Sequence, residues 1–87
     1  MAMKPVVMFM MESCPHCKRA RKWMDELTSE NPVYKNLKIQ MIDETKDPEV
    51  ADKFDYYLVP TYYVDGEKVH EGVASRDIIK QVFDTAL

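Results

Sequence analysis

An apolar run, Val6-Val7-Met8-Phe9-Met10-Met11, leads straight into Cys14-Pro15-His16-Cys17, and a helix-like run from Lys18 to Leu27 leads out. These are the chain's two cysteines. A near-continuous apolar run reads as a strand covered on both faces, here Lys4 to Met11. Pro5 stands at its beginning, where a missing N–H is tolerated. Cys14 is then placed as the N-cap of a helix and Pro15 at its first position, whose N–H has no helical partner in any case. The dipoles of a helix start favour negative charge. A cysteine there becomes a thiolate more readily, and the thiolate is the reactive form. Two cysteines at this spacing, after a strand and opening a helix, suit thiol–disulfide chemistry.

The 87 residues are expected to form one domain, residues 1–87, with a single core. Twelve basic against fifteen acidic residues leave a net charge of −3, which does not suggest a nucleic-acid partner. No apolar run approaches the ~20 residues of a membrane-spanning helix, so no membrane partner is expected. Lys4 before the apolar run invites a secretory reading. The run is short, however, Glu12 follows it, and no small-residue cleavage site appears, so a signal peptide is not expected. A cysteine pair without an export signal reads as catalytic in a reducing cytoplasm rather than as a structural staple.

Cys17, Ala20, Met24 and Leu27 recur at spacings of three and four, making one apolar stripe with Trp23 beside it, and the helix should run to about Thr28. Arg21–Asp25 and Lys22–Glu26 are spaced for ion pairs. Ser29-Glu30-Asn31-Pro32 ends the helix. Leu37 to Met41 alternates apolar and polar residues and reads as a second strand, with Ile42 at its end. The crossover makes it parallel to the first. Asp47 caps a short helix with Pro48 at its first position, ending near Asp55, with Val50, Ala51 and Phe54 facing inward. Tyr56 to Pro60 is a loop. Thr61–Val64 and Glu67–Glu71 flank Asp65-Gly66, a strong hairpin signal. Alternation puts Tyr62 and Tyr63 on opposite faces, so that one belongs to the core. Ser75 caps a last helix whose inner face is Ile78, Ile79, Val82, Phe83 and Leu87. The order is β-α-β-α-β-β-α: an α/β fold with a mixed four-stranded sheet packed with three helices. The sides taken by the first and third helices stay open at this level.

Three landmarks in this order resemble the thioredoxin-fold superfamily over almost the whole chain: Cys14-Pro15-His16-Cys17 after the first strand, Val59-Pro60-Thr61 before the hairpin, and Gly72 before a Ser-capped last helix. The size is similar to the minimal, glutaredoxin-like version of the fold, and Gly72-Val73-Ala74-Ser75-Arg76 is similar to the segment before the last thioredoxin helix. The resemblance implies a cis peptide bond before Pro60, packed beside the cysteines, with Val59, Pro60 and Thr61 shaping the substrate groove. Glutaredoxins usually carry two glycines and an acidic pair where this chain has Glu71-Gly72, and a lysine where it has Glu12 and Ser13. Thioredoxins carry a buried aspartate near the place of Met8, so the proton acceptor for Cys17 is unassigned. Pro15-His16 resembles the dipeptide of periplasmic disulfide-forming oxidases, without their inserted helical domain.

Cys14, the outer cysteine, is expected to attack a substrate disulfide, and Cys17, one turn deeper, to resolve the mixed disulfide. Pro15 stiffens the turn. His16 is expected to stabilise the Cys14 thiolate, the plain alternative being an exposed first-turn histidine. A buried structural pair or half a zinc site is the competing reading of the cysteines. Zinc normally needs four ligands, and here only His16 and His70 stand by, with His70 otherwise an exposed strand residue. No metal is expected. Lys18, Arg19, Arg21 and Lys22 read as a solvated helix face, and Trp23 and the methionines as packing. The expected function is a cytoplasmic, monomeric thiol–disulfide oxidoreductase reducing protein or low-molecular-weight disulfides. No cofactor is expected to be bound, and a reductase, or glutathione as co-substrate, would recharge it. The alternatives are a glutathione-dependent glutaredoxin and a non-catalytic redox sensor or iron–sulfur carrier.

Overall fold

A computed structural model describes residues 3–87. It contains β1 (Val6–Met10), α1 (Pro15–Glu30), a 3₁₀ turn (Pro32–Asn36), β2 (Ile39–Asp43), α2 (Pro48–Ala51), β3 (Thr61–Val64), β4 (Glu67–Glu71) and α3 (Arg76–Ala86). The strands form one sheet in the order β2-β1-β3-β4, in which β1 runs parallel to β2 and antiparallel to β3. This is the mixed four-stranded, three-helix α/β fold expected from the order of elements.

β1 is central, and its apolar run serves both faces. Val6, Met8 and Met10 point into the larger cluster, with Cys17, Ala20, Met24 and Leu27 of α1 and Ile79, Val82, Phe83 and Ala86 of α3. Phe9 points into a smaller cluster with Ile42, Ala51 and Tyr63. So α1 and α3 share one face and α2 covers the other, which answers the question left open by the sequence. Arg76 at the start of α3 pairs with Glu26 and Glu30 of α1. Glu30 is exposed and Glu26 only half-buried, so these pairs contribute little stability.

Several local expectations shift. β2 begins at Ile39 rather than Leu37, because the 3₁₀ turn reaches to Asn36 and parallel pairing with β1 matches Val6 to Ile39 and Met10 to Asp43. β2 is one edge of the sheet, and Met41 is 53% exposed there despite its apolar alternation. α1 runs two residues past Thr28, to Glu30. α2 ends at Ala51, and a turn closed by the Phe54 N–H on the Ala51 carbonyl carries the chain onward. Tyr62 and Tyr63 are both buried, at 0% and 7% exposure, since alternation cannot choose between faces when both are covered. On α3, Ala86 is buried while Leu87 is exposed, as the helix ends before Leu87 can turn inward. Arg21 and Lys22 form no ion pair with Asp25 or Glu26; Glu26 turns to Arg76 instead.

The hairpin turn has Asp65 at φ 53° and Gly66 at φ 82°, the left-handed pair that matches strand twist. A Cβ on Gly66 would meet nothing within 4 Å, so a side chain there costs only backbone conformation. Gly66→Ala is expected to lower stability by about 1–2 kcal/mol, read by urea denaturation. An unchanged midpoint would contradict the left-handed turn.

Candidate active site

Two parts of the fold lie at the end of the sheet where the cysteines stand. The first is the exit of β1. Cys14 is the N-cap residue of α1, with Pro15 at the first helical position as the sequence implies. Its N–H donates to the Met11 carbonyl and its carbonyl accepts from the Lys18 N–H, at 3.1 and 3.0 Å. The second part is the entry of β3. Antiparallel pairing sets Thr61 against Phe9, so Pro60 lies level with the end of β1, where the chain turns toward Cys14. The Val59–Pro60 peptide is cis. Pro60 is fully buried, and Val59 and Cys14 both pack against the rim of the larger core cluster.

Cys14 is half-buried and Cys17 fully buried, and both are free thiols. Their environments push them apart. The backbone N–H of Cys17 points at the Cys14 sulfur and lowers its pKa; the Cys17 thiol, the His16 N–H and the charge of Arg19 act in the same direction, against partial burial. Burial pushes Cys17 up to about 11, and the adjacent Cys14 sulfur adds to the rise, while the Met11 N–H and the charge of Arg21 offset part of it. The pair is therefore an outer sulfur that ionises early and an inner one that keeps its proton.

The other residues singled out by sequence take more specific places. The His16 ring pairs with Arg19, the guanidinium lying 2.8 Å from Nδ1; its link to the Cys14 sulfur runs through its backbone N–H. Arg19, read above as part of a solvated face, contributes its charge to Cys14. Arg21 is only half exposed, and its Nε is buried without a hydrogen-bond partner among the described residues. Met8 lies in the same apolar cluster as Cys17. Thr61 is fully buried, and its hydroxyl donates to the Leu58 carbonyl, so its side chain braces the loop before Pro60. The Gly72 N–H donates to the Pro60 carbonyl at 2.9 Å. Val59 makes no hydrogen bond through its backbone among the described residues. His70 is half-buried rather than exposed, with Nε2 3.1 Å from the Gly72 and Val73 carbonyl oxygens.

Sequence reasoning missed Asp43. It is buried and accepts from the Glu12 N–H at 3.1 Å, and from the Thr45 N–H and hydroxyl at 2.8 and 2.5 Å. Its pKa is lowered, first by the Thr45 hydroxyl. Asp43 thus ties the turn before Cys14 to the turn after β2. The readable signal was Asp43-Glu44-Thr45 after a strand, since aspartate commonly accepts from the backbone two residues on.

Residues 4–84 match the family model of the thioredoxin domain. Among solved structures, the chain is similar to Plasmodium falciparum thioredoxin, at 24% identity and TM-score 0.76, covering 99% of this chain and 84% of that one. It is similar to reduced Schistosoma mansoni thioredoxin pre-protein, at 25% identity and TM-score 0.74, over 99% and 81%. It is also similar to oxidised mitochondrial thioredoxin 3 from Saccharomyces cerevisiae, at 18% identity and TM-score 0.74, over 97% and 79%. No curated protein sequence matches it.

Proposed function

The chain belongs to the thioredoxin domain family, and from that premise we propose that it reduces protein disulfides through Cys14 and Cys17. The observation that carries this reading is the split between the two sulfurs: Cys14 is lowered and half-buried, while Cys17 is raised to about 11 and fully buried. The Cys14 thiolate attacks one sulfur of the substrate disulfide. A Cys14–substrate bond forms, the substrate's own S–S bond breaks, and the expelled thiolate takes up a proton from water. Cys17 then gives up its proton, attacks the Cys14 sulfur and expels the second substrate thiolate, which is protonated in turn. Two electrons and two protons pass to the substrate, and a Cys14–Cys17 disulfide remains. Holding Cys17 against Cys14 makes the second step intramolecular and fast.

Pro15 and the backbone of His16 hold the helix start that favours the thiolate. Val59, whose backbone groups have no hydrogen-bond partner among the described residues and which packs against the same core cluster as Cys14, is the place where an extended substrate segment adds its own backbone bonds, and Pro60 and Thr61 brace it from behind. The disulfide is returned to the dithiol by a reductase, or by glutathione as co-substrate, in a reducing cytoplasm. No described helix is long and apolar enough to cross a membrane.

Cys17→Ala is expected to stop turnover at the mixed disulfide. Incubated with insulin, this variant should accumulate an adduct through Cys14, visible by mass spectrometry and cleaved by dithiothreitol. The wild-type chain should reduce insulin under the same conditions. A variant that collects no adduct, beside a wild-type chain that reduces nothing, would sink the reading.

A further inference from the structure

The loop before Pro60 is held by one carboxylate. Glu71, at the end of β4, accepts through one oxygen, Oε2, from the Tyr57 N–H at 2.6 Å and the Leu58 N–H at 3.0 Å. Its other oxygen, Oε1, pairs with the Lys68 ammonium at 2.7 Å. Lys68 also donates to the Asp55 carbonyl at 3.2 Å, which accepts from the Tyr63 hydroxyl at 2.7 Å. The segment from Asp55 to Leu58 belongs to no helix or strand. Two of its four N–H groups end on Glu71, and the hairpin anchors the carbonyl at its start.

What this clasp displays is apolar. Tyr57 is 90% exposed and Leu58 60% exposed. Across the Gly72–Pro60 bond, Val73 is 62% exposed. Leu58 lies over Gly72, where a Cβ would come within 3.4 Å of its Cδ1, and Gly72 has φ 96°. A larger residue at 72 would crowd Leu58. Exposed apolar side chains grouped beside a functional residue mark a contact surface, and this group flanks Val59-Pro60.

We propose that Glu71 is a positioning residue: it fixes Tyr57 and Leu58 as an apolar lip beside Val59-Pro60, and an extended, apolar segment flanking the partner's disulfide packs against that lip. The proposal deepens the reading of the chain as a disulfide reductase and rests on it. It adds a residue that never touches the sulfurs yet sets which disulfides bind well. Lys68 and the two N–H groups hold the Glu71 carboxyl down to about 2, so the clasp keeps its charge throughout neutral and mildly acidic conditions.

The test compares two disulfides. Insulin presents apolar chain around its cystines, whereas hydroxyethyl disulfide is too small to reach the lip. In Glu71→Ala the KM for insulin should rise about tenfold, the scale of a lost charge-assisted hydrogen bond, with kcat unchanged. Turnover of hydroxyethyl disulfide and the thiolate titration of Cys14 should not move. Amide hydrogen exchange at Tyr57 and Leu58 should speed up. Glu71→Gln keeps a neutral acceptor and loses the Lys68 ion pair, so its KM should lie between the two, and it carries the test if the alanine variant folds poorly. Faster exchange at both amides with an unchanged insulin KM would overturn the proposal, as would an equal loss on both substrates. A wild-type chain that reduces neither disulfide is a separate result, and it removes the reductase reading itself.

Discussion

Cys14→Ser is expected to cut disulfide reduction by at least on the order of a thousandfold, because it removes the proposed nucleophile. The serine keeps the size and the helix start but replaces a sulfur that ionises with a hydroxyl that does not. The same geometry sets the pH dependence. Attack requires the thiolate, so the rate should rise with pH and level off above the lowered Cys14 pKa. Cys17, raised to about 11, should contribute no second rise below that range. Alkylation with iodoacetamide should therefore label Cys14 first, with Cys17 far slower. Turnover surviving in Cys14→Ser, or Cys17 labelled ahead of Cys14, would reverse the assignment of outer and inner sulfur.

Phe9→Ala is the substitution expected to cost the fold most, about 3–5 kcal/mol. Phe9 is fully buried in the smaller cluster. Its ring lies 4.7 Å from Phe54, 4.7 Å from Tyr56 and 5.8 Å from Tyr63, centre to centre. This one ring joins the loop after α2, which supplies Phe54 and Tyr56, to Tyr63 of β3, so truncation leaves a cavity that both segments would have to close together. The loss is a large part of the 5–15 kcal/mol by which a domain is usually stable. Urea denaturation followed by tyrosine fluorescence and circular dichroism would measure it. A loss below about 1 kcal/mol would mean that the aromatic cluster does not hold the loop after α2 to the sheet.

The parts legible in the sequence share one property: each depends on neighbours within a few residues. The start of α1 at Pro15 follows from a proline behind a capping position, and the turn at Asp65-Gly66 from a residue pair that tolerates positive φ. Ser75 accepts from the Ile78 N–H as its place before the last helix implies. The stripe Cys17, Ala20, Met24 and Leu27 is the buried face of α1, because helical periodicity alone selects it. Where the local signal met a second constraint, it lost. The alternation of Leu37 to Met41 gave way to the register imposed by β1, and the Lys22–Glu26 pair along α1 gave way to Arg76 of α3.

The chain's own residues, taken in order, were thus enough to specify a strand that ends at a cysteine, a helix that starts there with a second cysteine one turn in, and a hairpin that follows. They could not specify what surrounds those sulfurs. The separation of the two thiols comes from the burial of Cys17 among Met8, Met24, Tyr62 and α3, and from N–H groups aimed at Cys14. Likewise, Asp43 reaches Glu12 across thirty-one residues and Glu71 reaches Tyr57 across fourteen. Desolvation and hydrogen bonding between distant segments depend on the folded geometry, so only the packed molecule decides which sulfur ionises first and how the loop before Pro60 is held.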